Sequence, residues 1–219
     1  MNGKKHSALS AVILVLTLII SFTASAANYE IAPLADSYVN SLYPNTNYGS
    51  DERLYAHYGS NSTKRTFLRF DLTGLPAGEI ITGASLLLYT DGGVQGLAVD
   101  AHHVANDAWT EDLLTWNNQP GYDAFVLHSA ETVHGWMEWS IPLETFTADT
   151  DGLLSILIKL GSESGDSATA TFYSREATIK PAELPYLSVS TTTPVPIPPA
   201  MLLFGIGLVV LAGVRRNID

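Results

Sequence analysis

Arg65-Thr66-Phe67-Leu68-Arg69-Phe70 is the stretch on which the fold turns. In an extended strand successive side chains point to opposite faces, so Leu68 and Phe70 share one face and Phe67 and Arg69 the other. Similar segments, alternating or rich in branched and aromatic residues, recur at 37–40, 53–58, 84–89, 97–102, 124–127, 136–141, 154–160, 168–173 and 186–190. Turn signals lie between them: Asn45-Thr46-Asn47-Tyr48-Gly49, Asp91-Gly92-Gly93, Asn118-Gln119-Pro120-Gly121 and Gly161-Ser162-Glu163-Ser164-Gly165-Asp166. No segment sustains the three-and-four apolar spacing of a helix; 109–114 is the nearest, a single helical turn in a loop. Many short strands in succession predict an all-β domain, a two-sheet antiparallel β-sandwich of jelly-roll type.

The sandwich occupies 27–193, about one domain's worth of chain. That body carries 21 acidic against seven basic side chains, a net of −14. Such a surface repels nucleic acid and can hold hard cations where carboxylates converge. The chain has no cysteine, which excludes disulfides, a thiolate nucleophile and a cysteine-ligated zinc site.

Both ends carry targeting features. Lys4, Lys5 and His6 precede an apolar run over 11–20, and Ala24-Ser25-Ala26 offers small residues to a processing enzyme. Residues 1–26 are thus expected to be a signal peptide, cut after Ala26. At the other end Val195-Pro196-Ile197-Pro198-Pro199 closes a stiff spacer over 194–199. An uncharged apolar stretch over 200–214 and the basic end 215–219, with Arg215-Arg216, follow it. The expectation is a C-terminal transmembrane helix with the arginines on the cytoplasmic side. This tail resembles the PEP-CTERM sorting signal of Gram-negative bacteria. The resemblance implies recognition in the inner membrane by an exosortase, anchoring there, and passage to the cell surface or the medium after processing.

Three stretches of the body hold its unusual residues: Ala35-Asp36-Ser37-Tyr38-Val39 with Asn45-Thr46-Asn47-Tyr48-Gly49, then Trp109-Thr110-Glu111 through Thr115-Trp116-Asn117 to Pro120, then Ser174-Arg175-Glu176 with Pro185-Tyr186-Leu187. Together with Leu68-Arg69-Phe70-Asp71, Leu75-Pro76 and Leu86-Leu87-Leu88-Tyr89, they resemble the DNRLRE domain family. That family includes a non-catalytic module that binds acidic polysaccharide beside polysaccharide-degrading enzymes. The order is kept over nearly all of the body. Two strands depart from the family pattern, Leu54-Tyr55-Ala56-His57-Tyr58 and the segment 136–143.

Candidate carbohydrate contacts are Trp109, Tyr48, Tyr55, Arg69 and Arg175, since aromatic faces suit the C–H faces of sugars and guanidinium groups their oxygens. Each has a structural alternative. Trp109 and Trp116 can pin their loop to the sandwich, and Arg69 can pair with Glu176 or Asp71. Trp136 and Trp139 differ in strand parity, so at most one faces the core. Asp36, Asp51 and Asp107 are candidate ligands of a calcium ion, against the alternative of a solvated acidic face. No nucleophile elbow, zinc-protease helix or phosphate loop is present. A lyase would need Tyr58, His57 and Arg69 around one anionic sugar. The functional expectation is an exported, non-catalytic module binding extracellular polysaccharide. The alternatives are a structural surface or biofilm-matrix protein and, behind it, a polysaccharide-degrading enzyme.

Overall fold

The computed structural model describes residues 25–59, 61–148 and 151–194. Alternation becomes strand throughout: β1 (Ala26–Ile31), β2 (Ala35–Asn40), β3 (Arg53–Gly59), β4 (Ser62–Asp71), β5 (Ile80–Gly93), β6 (Ala98–Val104), β7 (Val126–Glu131), β8 (Gly135–Ser140), β9 (Leu153–Leu160), β10 (Ala168–Tyr173) and β11 (Tyr186–Thr192). The sequence-based segments fall on β2 to β11. The first strand escaped notice because its start coincides with the expected processing point. Ala26 already pairs with Thr192, so a cut after Ala26 falls one residue inside β1.

Two separate sheets were expected, and here the structure corrects the sequence. All pairings are antiparallel and link the strands into one eleven-stranded sheet, in the order β1-β11-β5-β10-β3-β4-β9-β6-β7, with β2 on β4 and β8 on β5. The long β5 is the reason. Its first part pairs with β11 and β8, and its Gly92-Gly93 end turns aside to pair with β10, which passes the ladder to β3. Gly93 sits at φ +117°, and a side chain there would strike the Thr169 carbonyl, so glycine permits the bend. The sheet curls on itself, and its two halves face one another as in a jelly-roll sandwich.

Between the halves lies the main core, with Leu54, Leu68, Phe70, Leu86, Leu88, Trp139, Ile156, Phe172 and Leu187 all buried. Burying each such side chain contributes roughly 1.5–3 kcal/mol. Trp139 takes the core place and donates its indole N–H to the Val99 carbonyl at 2.8 Å, while Trp136 faces outward, as strand parity requires. A second core forms on the other face of β4 and β9, where Phe67, Leu157, Val39 and Val104 are covered by Trp109 and Leu114. The loop over 105–125 therefore lies flat on the outside of the sheet.

The expected transmembrane helix is corrected. The one α-helix among the described residues, Leu143–Ala148, has six residues, and no described helix is long and apolar enough to cross a membrane. Residues 1–24 and 195–219 lie outside the described residues, and with them Val195, Pro196, Pro198, Arg215, Arg216 and the span 200–214. Inner-membrane anchoring and the exosortase partnership that rested on the helix are withdrawn.

Candidate functional site

Three loops meet beside the second core, and asparagine locks two of them. Asn47 donates its amide N–H groups to the carbonyls of Glu111 and Leu114 at 2.6 and 2.8 Å. Its own oxygen accepts the Gly49 N–H at 3.1 Å. Gly49 is buried against the Glu111 carbonyl, so closely that no Cβ fits. The third loop joins through Ser174, whose hydroxyl donates to the Asp51 carbonyl at 2.6 Å.

At that junction three carboxylates converge: Asp36, Glu111 and Glu176 offer ligand oxygens that all lie within 4.8 Å of one another. Glu111 accepts the Asp36 N–H at 2.8 Å, and Asp36 accepts the Arg175 N–H at 2.9 Å. The Arg175 guanidinium bonds Glu176 at 2.7 Å and approaches Glu111 at 3.2 Å, while also reaching the Leu34 carbonyl. Arg175 thus meets all three carboxylates, Glu111 and Glu176 through its guanidinium and Asp36 through its backbone N–H. Asp36 is 1% exposed, and its Oδ1, like Glu176 Oε2, has no hydrogen-bond partner. Burial, reinforced by Glu176 and Glu111, holds the Asp36 carboxyl well above the usual range; burial likewise raises Glu111. The cluster has the donors to chelate a metal ion, and burial with the neighbouring carboxylates disfavours the charged form of Asp36 without one. Of the expected trio only Asp36 belongs to it. Asp51 accepts the Tyr38 hydroxyl at 2.9 Å, and Asp107 lies near Ser155, Arg69 and His103. Glu111 and Glu176 were legible only as members of the Trp-x-Glu and Ser-Arg-Glu phrases.

Two expected sugar contacts instead hold the frame. Trp109 is 8% exposed; its indole donates to Ser155 at 3.0 Å and its ring meets Phe67 and the Arg69 guanidinium. Arg69 donates to the Asp107 carbonyl at 2.6 Å and to the Trp109 carbonyl. It pairs with loop backbone rather than with Glu176 or Asp71.

Tyr48 and Tyr55, by contrast, come together. Tyr38 stacks on Tyr48, with centroids 4.3 Å apart, and meets Tyr55 edge-on at 4.9 Å; Lys64 Nζ lies 4.2 Å from the Tyr55 ring centroid. Beside them opens a cleft of about 490 Å³ lined by Asp51, Glu52, Arg53, Tyr55, Tyr173 and Ile179. Arg53 is ion-paired with Asp91, which also accepts the Tyr173 hydroxyl at 2.5 Å. Its volume is that of a small-ligand site, with an aromatic wall and charged donors and acceptors.

Residues 27–191 match the family model of carbohydrate-binding module family 96. The chain belongs to that family. Comparison with the curated proteins gives no match. A family-96 module is a non-catalytic carbohydrate-binding domain, and the protein is accordingly not an enzyme. The Asp91 hydrogen bond pushes Tyr173 up to about 12, and burial with Asp51 raises Tyr38, so neither phenol is poised as a base. The lyase trio is scattered: Tyr58 packs on the main core, His57 hydrogen-bonds Thr169 at 2.7 Å, and Arg69 is under the loop.

Proposed function

We propose that this chain is an exported module, of the DNRLRE type within family 96, that holds extracellular polysaccharide without altering it. The sugar sits in the cleft of Asp51, Arg53, Tyr55 and Tyr173. The supporting observation is the cleft itself, where the Tyr55 wall stands beside an arginine, two acidic side chains and the Tyr48–Tyr38 stack. A pyranose lays its C–H face on an aromatic ring while its hydroxyls exchange hydrogen bonds with the charged rim. Trp109, Arg69 and Arg175 contribute by fixing the loops. Export rests on residues 1–26.

For the acidic cluster the proposed cation is calcium. Asp36, Glu111 and Glu176 would hold it, and its charge would relieve their mutual repulsion and tie β2 to the two loops. Retardation of the full-length chain in gels cast with polygalacturonate, galactomannan or hydroxyethylcellulose tests the site. Tyr55→Ala should lose at least tenfold in affinity on the polymer that retards the parent, with an unchanged melt. Equal retardation of parent and variant on every polymer would remove the cleft.

A further inference from the structure

The outward face of β8, β5 and β11 carries a second aromatic surface that the cleft does not use. Trp136 on β8 lies directly across from Tyr89 on β5, and Tyr186 on β11 is paired with Leu87 of the same strand. Trp136 meets Tyr89 at 5.4 Å between centroids and Tyr186 at 5.3 Å, both rings turned steeply to the indole. Neither tyrosine can rotate without disturbing the indole, so the three form a set held by adjacent strands. Trp136 is nevertheless 39% exposed, and Trp139 already fills the core on this strand. A tryptophan held in this way and more than a third exposed on an outward sheet face leaves apolar ring surface for a ligand to cover.

We propose that Trp136, flanked by Tyr89 and Tyr186, is a second glycan-binding platform that takes an uncharged polysaccharide chain. The occupant follows from the rim. Glu30 and Glu138 stand close enough to Tyr186 to raise its phenol, though burial raises it more. Fixed negative charge there repels uronate or sulfate groups and accepts hydrogen bonds from neutral hydroxyls. The indole supplies the apolar plane for the sugar's C–H face. The strands place a stacking surface across β8, β5 and β11, about 10 Å wide at the usual strand spacing, which is wider than one sugar ring. The platform rests, with the proposed function, on the premise that the module binds glycan, and it adjoins the cleft, since Tyr89 meets Tyr173 of the cleft lining at 6.1 Å between centroids.

Affinity electrophoresis of the full-length chain against hydroxyethylcellulose, galactomannan and starch, with polygalacturonate as the anionic counterpart, tests it. Trp136→Ala should lose at least tenfold in affinity on the uncharged polymer that the parent binds, and Trp136→Phe should keep part of it. Binding that depends on Tyr55 should be unchanged in both. In the unsubstituted protein, that uncharged polymer's oligosaccharide should shift the Trp136 indole N–H resonance more than the other three, which checks the site without any variant. The platform is overturned if the parent binds none of the uncharged polymers, or if Trp136→Ala binds them as the parent does. Loss with Trp136→Ala alone, and none with Tyr55→Ala, would keep the platform and remove the cleft.

Discussion

Asp36 carries a buried carboxylate oxygen with no partner, and that sets a sign for its pH dependence. A carboxyl whose pKa is higher in the folded than in the unfolded chain keeps its proton folded after the unfolded chain has lost it. Its stabilising contribution is complete below the unfolded value, about 3.9, and is lost as pH rises through the folded one. Without divalent cations, the melting temperature of the parent should fall relative to that of Asp36→Asn as pH climbs from about 4 to neutrality. Added calcium at neutral pH should restore the parent and leave Asp36→Asn unmoved; parallel melting curves across that window, with or without calcium, would contradict the site. Trp109 gives the second test at this scale. Truncation to alanine removes a buried indole and its bond to Ser155, and should cost about 3–5 kcal/mol in denaturant unfolding. A loss below about 1 kcal/mol would show that the ring is not packed as described. Strand parity made Phe67, Arg69, Trp136 and Trp139 legible as faces, and parity held for each. It could not say which loop covers an outer face, and so it left Trp109 open between a sugar contact and a pin for its loop, the place the ring takes over the second core.

Elements join in this protein through what the loops lock rather than through the strands alone. Gly49 is the tightest such point, because its backbone lies on the Glu111 carbonyl. Gly49→Ala should push the 45–49 loop off the Trp109 loop and destabilise by about 1–3 kcal/mol, the usual range for overpacking. It should also weaken any calcium-induced rise in melting temperature, since Glu111 sits at the displaced contact. An unshifted melt would mean that the two loops are not pressed together. Ten strands were readable from alternation and turn residues. The single continuous sheet was not, because it depends on where β5 bends, and two adjacent glycines mark a turn and a bend alike. The acidic cluster was half readable for the same reason: Asp36, Glu111 and Glu176 come from three elements far apart in sequence, and only the loop register brings them together.

At the largest scale, residues 25–194 form an acidic, cysteine-free domain whose order comes from two cores and interlocked loops. Its melt should accordingly be indifferent to reducing agent, and its far-UV circular dichroism that of strands; substantial helix in residues 25–194 would contradict the fold. Family membership makes glycan binding the property on which the rest depends, and the proposed function assigns it to the cleft. Isothermal titration of the full-length chain and of Tyr55→Ala, with the polysaccharide that retards the parent in gels, is the most direct test. Saturable binding by the parent, at least tenfold weaker in a Tyr55→Ala variant of unchanged melting temperature, is the expected result. Parent and variant binding alike, or a folded parent that releases no heat with any polymer that family-96 modules would be offered and shows no retardation, would contradict it.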